Sequence, residues 1–174
     1  MKMWRTIAKI LLDVGKRVVT DQTSTPSLGL PGPRDQAIVY DVTTLGEPDF
    51  SYHPVKDAIP DPGEVVWTWV PYEENDGRGK DRPVLVVAAH GSDHVVFAQT
   101  TSKDHDRDAQ DEARWGRYWM DIGSGNWDAR RRPSEVRLNR LMIVHINQVR
   151  RTGGQLERRI FVRVIAEIKK YLHS

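Results

Sequence analysis

The sequence predicts an α+β fold: a small, curled antiparallel sheet or barrel capped by a C-terminal helix, with an amphipathic helix and a linker ahead of it. Three observations lead there. Between Val65 and Val144, short runs rich in β-branched and aromatic residues are separated by turns containing Gly, Pro and Asp. After Gly153-Gly154 the apolar residues recur at steps of three and four, the period of a helix packed on one face. Residues 21–61 carry prolines at 26, 31, 33, 48, 54 and 60, with only short apolar pieces such as Ala37 to Tyr40.

From Met3 to Val19, the residues Trp4, Ile7, Leu11, Val14 and Val18 fall at helical spacing, with Lys2, Arg5, Lys9, Lys16 and Arg17 mostly on other faces. Residues 1–20 therefore read as a basic amphipathic helix, suited to packing on a partner or to a membrane surface. No Ala-x-Ala cleavage site follows it. Residues 21–61 cannot bury enough to fold alone and read as a linker lying along the main domain, 62–174. Within that domain Pro62-Gly63 is a turn, and Val65 to Val70 is a strand. A polar loop from Glu73 to Asp81 leads to a strand at Pro83–Ala89. Gly91-Ser92-Asp93 turns into a strand at His94–Gln99. Lys103 to Arg114 is a charged loop or short helix, Arg117–Ile122 and Val136–Val144 are further strands, and Gly123 to Pro133 is loop. Leu156, Ile160, Phe161, Val164, Ile165, Ile168 and Leu172 mark the closing helix.

At 174 residues the chain suits one domain with a tail. No apolar run approaches the roughly 20 residues of a membrane-spanning helix. Zero cysteines exclude disulfides, a thiolate nucleophile and Cys-ligated metal, which fits a cytoplasmic protein. Net charge is only +2, but from Arg130 onward twelve Lys or Arg face Glu135, Glu157 and Glu167, so an anionic partner is expected there. Phosphate loops, His-Glu-x-x-His helices and Gly-x-Ser-x-Gly elbows are absent from the sequence. Asp104, His105, Asp106 and Asp108 crowd together, but neighbours in sequence rarely converge on one ion. His90 and His94 flank a turn, so no metal and no cofactor is expected.

Several anchors carry a family resemblance: Gly63-Glu64-Val65-Val66-Trp67, then Arg82-Pro83-Val84-Leu85-Val86-Val87, a strand ending Thr100-Thr101-Ser102, and Ser134-Glu135-Val136-Arg137-Leu138-Asn139-Arg140. Over roughly Pro62 to Leu172 the chain resembles the PemK/MazF toxins of type II toxin-antitoxin systems. The resemblance implies an SH3-like antiparallel barrel of the MazF, Kid and CcdB type. It also implies a metal-independent endoribonuclease, commonly a homodimer, that cleaves single-stranded RNA and is neutralised by an antitoxin. Such cleavage needs an acceptor for the 2′-hydroxyl proton, cationic donors for the charge growing on the phosphate, and a proton for the leaving 5′-oxygen.

Arg82 matches the family's catalytic arginine and Thr101 its threonine, with Ser102 beside it. A purely structural reading instead pairs Arg82 with Glu73, Glu74 or Asp81. Arg137 matches a second arginine of some members, but Asn139 stands where those members have a carboxylate. An amide cannot act as a general base at neutral pH, which leaves Glu73, Glu74 or another group for that role. Lys80, Lys103, Arg130, Arg131 and Arg132 are candidate phosphate-backbone contacts, and Trp115 and Trp119 candidate stacking platforms for unpaired bases. A reading of another class, favoured by Asn139, is a barrel that has lost catalysis and binds nucleic acid or protein. The N-terminal helix, in length and amphipathicity, resembles the antitoxin segments that pack into such toxins.

Overall fold

Each run of β-branched and aromatic residues becomes a strand. The computed structural model describes residues 29–55, 59–102, 114–150 and 154–174. Its elements are β1 (Ile38–Val39), α1 (Val42–Leu45), β2 (Val65–Pro71), β3 (Gly79–His90), β4 (His94–Thr101), β5 (Trp119–Gly123), β6 (Ser134–His145) and α2 (Arg158–Lys169). The expected N-terminal helix and the charged stretch 103–113 lie outside the described residues. β3 begins at Gly79 rather than Pro83, and β4 runs on to Thr101. In both, ladder pairing continues past the last apolar residue: Pro71 pairs with Gly79, and Thr101 with Glu135.

All strand pairs are antiparallel, in the order β1-β6-β4-β3-β2, and β5 pairs with β6 as well. β6 is long enough to hold β5 along Ser134–Arg137 and β1 at Met142 and Ile143. The sheet curls until the chain just after β6 meets the far edge of β2. There Trp67 and Arg150 exchange backbone hydrogen bonds of 3.0 and 2.8 Å. An exposed strand edge is thereby covered by the protein's own backbone.

The inner face is apolar through Val66, Val70, Val84, Val86, Val95, Phe97, Met142 and Val144. Ala37 joins this cluster, and Tyr40, also buried, donates its backbone N–H to the Leu141 carbonyl at 2.9 Å. The apolar piece at 37–40, embedded in Pro- and Gly-rich sequence, thus supplies an edge strand and two core side chains. Gly63, with φ of 102°, sits under the Tyr52 ring, 2.7 Å from where a Cβ would lie, while its N–H reaches the Val86 carbonyl. Only glycine fits that turn. α2 buries Phe161, Val164, Ile165 and Ile168, at intervals of three and one that keep one stripe inward, and packs beside β6. Tyr52 reaches across to this helix: its ring lies 5.2 Å from that of Phe161, and its hydroxyl donates to the Leu156 carbonyl at 2.7 Å.

Candidate functional site

The inward row of three neighbouring strands changes character at one end of the sheet. Residues two apart share a face of a strand. Along β3 the row reads Val86, Val84, Arg82, Lys80; along β4, Phe97, Gln99, Thr101; along β6, Val144, Met142, Arg140. Where the apolar residues stop, a cleft of about 500 Å³ opens, lined by these polar side chains together with Tyr72, Glu73, Glu74, Ser102, Arg117, Trp119 and Arg137.

Arg82 and Thr101 meet there. β3 pairs with β4 as far as Val84 and Gln99, and Arg82 and Thr101 each lie two residues beyond that pair, on the strand faces that line the cleft. Thr100, facing the other way, fixes the register by donating its hydroxyl to the Pro83 carbonyl at 2.7 Å. Both Arg82 and Thr101 are half-buried, neither sealed from the cleft. Arg82 Nε is buried and accepted by no oxygen among the described residues. Of the carboxylates that could have paired with it, Asp81 is engaged with Arg150 and Glu73 with Arg137, while Glu74 lines the cleft without bonding Arg82 Nε. Burial pushes the Arg82 guanidinium pKa down, against a smaller opposing effect of Tyr72. A partly desolvated cation with an unpaired donor gains more from an arriving anion than a solvated one does.

Arg137 is in the opposite condition. Only 3% of its side chain is exposed, and Nη1 and Nη2 bond the two Glu73 oxygens at 3.0 and 3.2 Å. Nε bonds Asn139 Oδ1 at 2.7 Å, and Nη2 also lies 3.4 Å from the Gly116 carbonyl. Its guanidinium sits 5.8 Å from the Trp119 ring centroid. Asn139 uses both ends of its amide: the oxygen accepts from Arg137 and from the Tyr118 N–H, and Nδ2 donates to the Gly116 carbonyl. Burial raises the Glu73 pKa, but the hydrogen bond and charge of Arg137, with Arg140 and Arg117, outweigh it. The carboxyl is held below its usual value. Glu73 is therefore anionic and weakly basic at neutral pH.

Arg140 reaches the cleft on the row of Val144 and Met142, and Arg137 joins it there because β6 is bulged. Ala98 pairs with Leu141, yet Thr100 pairs with Val136, so β6 carries extra residues between these two pairings. In an even strand, positions 137 and 140 would face opposite sides. The bulge brings both to the cleft. Arg140 has weak partners: Gln99 Oε1 at 3.2 Å and the Pro71 carbonyl at 3.5 Å from each Nη. Burial lowers its pKa, Glu73 works against that, and the charges of Arg137 and Arg82 lower it further.

Of the remaining expected residues, Lys80, Ser102, Glu74 and Trp119 line the cleft. Arg132 lines an adjoining cavity of about 150 Å³ that shares Lys80, Arg82, Thr101 and Ser102 with the cleft, and its Nε pairs with Asp128 at 2.7 Å. Arg130 and Arg131 are exposed on the loop before β6, the latter bonded to Asn126 at 3.0 Å, and line neither cavity. Trp115 is 72% exposed and also lines neither. Lys103 lies outside the described residues. Among the described residues, no group of three or more His, Asp or Glu is placed to hold a metal ion, and no helix is long and apolar enough to cross a membrane.

The sequence profile of the PemK-like, MazF-like toxins of type II toxin-antitoxin systems matches residues 61–172, more than half of the chain. The chain belongs to this family. Among solved structures, the crystal structure of MazE-MazF (form II) from Deinococcus radiodurans aligns with a TM-score of 0.40 at 15% identity, covering 67% of this chain and 94% of that one. No curated protein matches the sequence. In this PemK/MazF-like domain the cleft also gathers Arg140, Gln99, Arg117 and Tyr72, which sequence reasoning did not single out. Gln99 was legible in principle, as a polar residue on the row of Val95 and Phe97. Arg140 was legible in the same way, on the row of Val144 and Met142; the bulge instead conceals that Arg137 shares its cleft.

Proposed function

We propose that this toxin-family protein is a metal-independent endoribonuclease that cleaves single-stranded RNA at the Arg82–Thr101 cleft. The observation that carries the reading is the buried Arg82 Nε, unpartnered among the described residues, beside Thr101 at the mouth of the cleft. In this mechanism Arg82 donates parallel hydrogen bonds to the non-bridging oxygens of the scissile phosphate, and Thr101 orients the ribose 2′-hydroxyl, with Ser102 beside it. The 2′-oxygen attacks phosphorus, its proton passes to a carboxylate, and the bond to the 5′-oxygen breaks as that oxygen takes a proton from water in the open cleft. The products are a 2′,3′-cyclic phosphate and a 5′-hydroxyl. Glu73 is committed to Arg137 and weakly basic, which leaves Glu74, exposed on the cleft wall, as the proton acceptor. Trp119 offers a ring for stacking, and Lys80 a cation for the flanking backbone. The partner is an antitoxin that covers the cleft, and the assembly is a homodimer, as the family resemblance implies.

Asn139 supports a second reading, a barrel without catalysis that binds nucleic acid, because the amide is fully used in holding Arg137 and Gly116. Incubating the purified full chain with a long single-stranded RNA in EDTA separates the two. Wild type is expected to give fragments ending in cyclic phosphate, and Arg82→Ala to be slower by about 100-fold or more. Equal cleavage by both removes Arg82 from the mechanism. RNA binding with no cleavage by either supports the binding module.

A further inference from the structure

The two arginines that flank Arg82 differ in what they have left to give. Arg137 is saturated: Nε is held by Asn139, and both terminal nitrogens are held by a carboxylate. For a phosphate to bind it, Glu73 would have to leave a side chain that is 3% exposed. Arg140 has only neutral acceptors, at 3.2 to 3.5 Å, and among the described residues no anion is paired with it. It shares the cleft wall with Arg82, and the two like charges repel. A planar guanidinium with loosely used donors is built to take a second bidentate partner.

We infer that Arg140, and not Arg137, is the second cation that grips the substrate phosphate together with Arg82. Arg137, locked by Glu73 and Asn139, is a positioning residue that shapes the wall under Trp119. Gln99 aims Arg140: it sits on the inward row of β4 between Phe97 and Thr101 and accepts from Nη1. A phosphodiester presents two non-bridging oxygens, and the two arginines approach from neighbouring inward rows. The inference rests on the RNA-cleaving reading for its catalytic part, and on the cleft alone for its anion-binding part.

The test uses the full chain, wild type and Arg140→Gln, with two readouts. The first is cleavage of single-stranded RNA; the second is binding of a 2′-O-methyl oligoribonucleotide, which cannot be cleaved, followed by fluorescence anisotropy across a salt series. Arg140→Gln is expected to lower kcat/KM by about 100-fold, the scale of losing one donor to a developing oxyanion. It is also expected to lower the slope of log K against log salt by about 0.7, one phosphate contact on a single strand. Because the substitution removes the repulsion of Arg137 and Arg82 together with the attraction of Glu73 and Glu74, Tm is expected to change little, whereas loss of a merely structural arginine would lower it. Cleavage and salt slope both equal to wild type overturn the inference. If wild type binds the oligonucleotide but cleaves nothing, the nuclease reading falls by itself. The salt slope then decides Arg140 alone: a reduced slope sustains it as the second anion contact, and an unchanged slope overturns it.

Discussion

Replacing Glu73 with glutamine removes one charge while keeping the shape of the side chain, and the structure sets what this should do. Arg137 loses the carboxylate that holds both of its terminal nitrogens, while its own side chain stays only 3% exposed. Deleting one partner of a fully buried pair costs about 3–5 kcal/mol, and deleting one of an exposed pair about 0–1 kcal/mol. Glu73 is itself 42% exposed, and the amide of the Glu73→Gln variant keeps one oxygen for one of the two bonds, so the loss falls between these limits, at about 2 kcal/mol. For a domain of this size that is a Tm drop of about 6 °C. The pH dependence has a definite sign. Glu73 is held below its ordinary value, so its contribution is fully present above about pH 4.3 and fades as pH falls through the depressed value. Urea unfolding of wild type and Glu73→Gln should therefore differ fully at pH 7 and converge toward pH 3. A difference under about 0.5 kcal/mol at pH 7, or one that stays constant down to pH 3, would refute the claim that this ion pair holds the cleft wall.

Gly79→Ala places a Cβ 2.5 Å from the Val70 carbonyl oxygen and against the Trp69 ring, so it should cost at least about 1–3 kcal/mol in urea unfolding and disturb the start of β3 just below Lys80. Asn139→Asp keeps the acceptor for Arg137 Nε but sets a carboxylate oxygen against the Gly116 carbonyl, where Nδ2 now donates. A loss of about 1–3 kcal/mol at neutral pH that shrinks in acid is expected, and equal or greater stability at neutral pH would show that the amide is not needed there.

Most of the sheet could be read from the sequence because its strands obey the simple rule that β-branched runs between turn residues form strands; Val65 to Val70 and Val136 to Val144 are cases in which composition marks the strand, since both faces of each are largely buried. The cleft was legible where motifs mark it: Arg82 follows the polar loop and opens an apolar run, and Thr101 closes one. What the sequence hid were non-local facts. That Glu73 clamps Arg137 joins residues 64 positions apart, and no spacing rule reports it. That Arg137 shares a cleft with Arg140 depends on a bulge that no turn residue announces. Ala37 and Tyr40 lie in a segment whose composition is that of a linker. Composition measures how much a segment can bury alone, and here the partner surface is an edge of β6 formed about a hundred residues later.

Among the described residues the cleft sets five cations, Lys80, Arg82, Arg117, Arg137 and Arg140, against Glu73 and Glu74, an excess larger than the net +2 of the entire chain. The positive potential is therefore a local construction and not a reflection of overall basicity. Continuing the apolar row of Val86 and Val84 by one more turn of the pleat would have been the stable choice, since burial of one such side chain is worth about 1.5–3 kcal/mol. Instead the row ends in Arg82 and Lys80, and the facing rows end in Gln99, Thr101 and Arg140. Arginines crowded in a half-buried space repel one another, and burial lowers the pKa of both Arg82 and Arg140. One carboxylate, Glu73, is spent on the arginine that lies deepest, which leaves the shallower two, Arg82 and Arg140, facing the cleft with no carboxylate of the described residues bonded to either. A ligand that brings its own negative charge relieves both penalties at once, and a phosphodiester backbone supplies that charge at regular intervals along a strand.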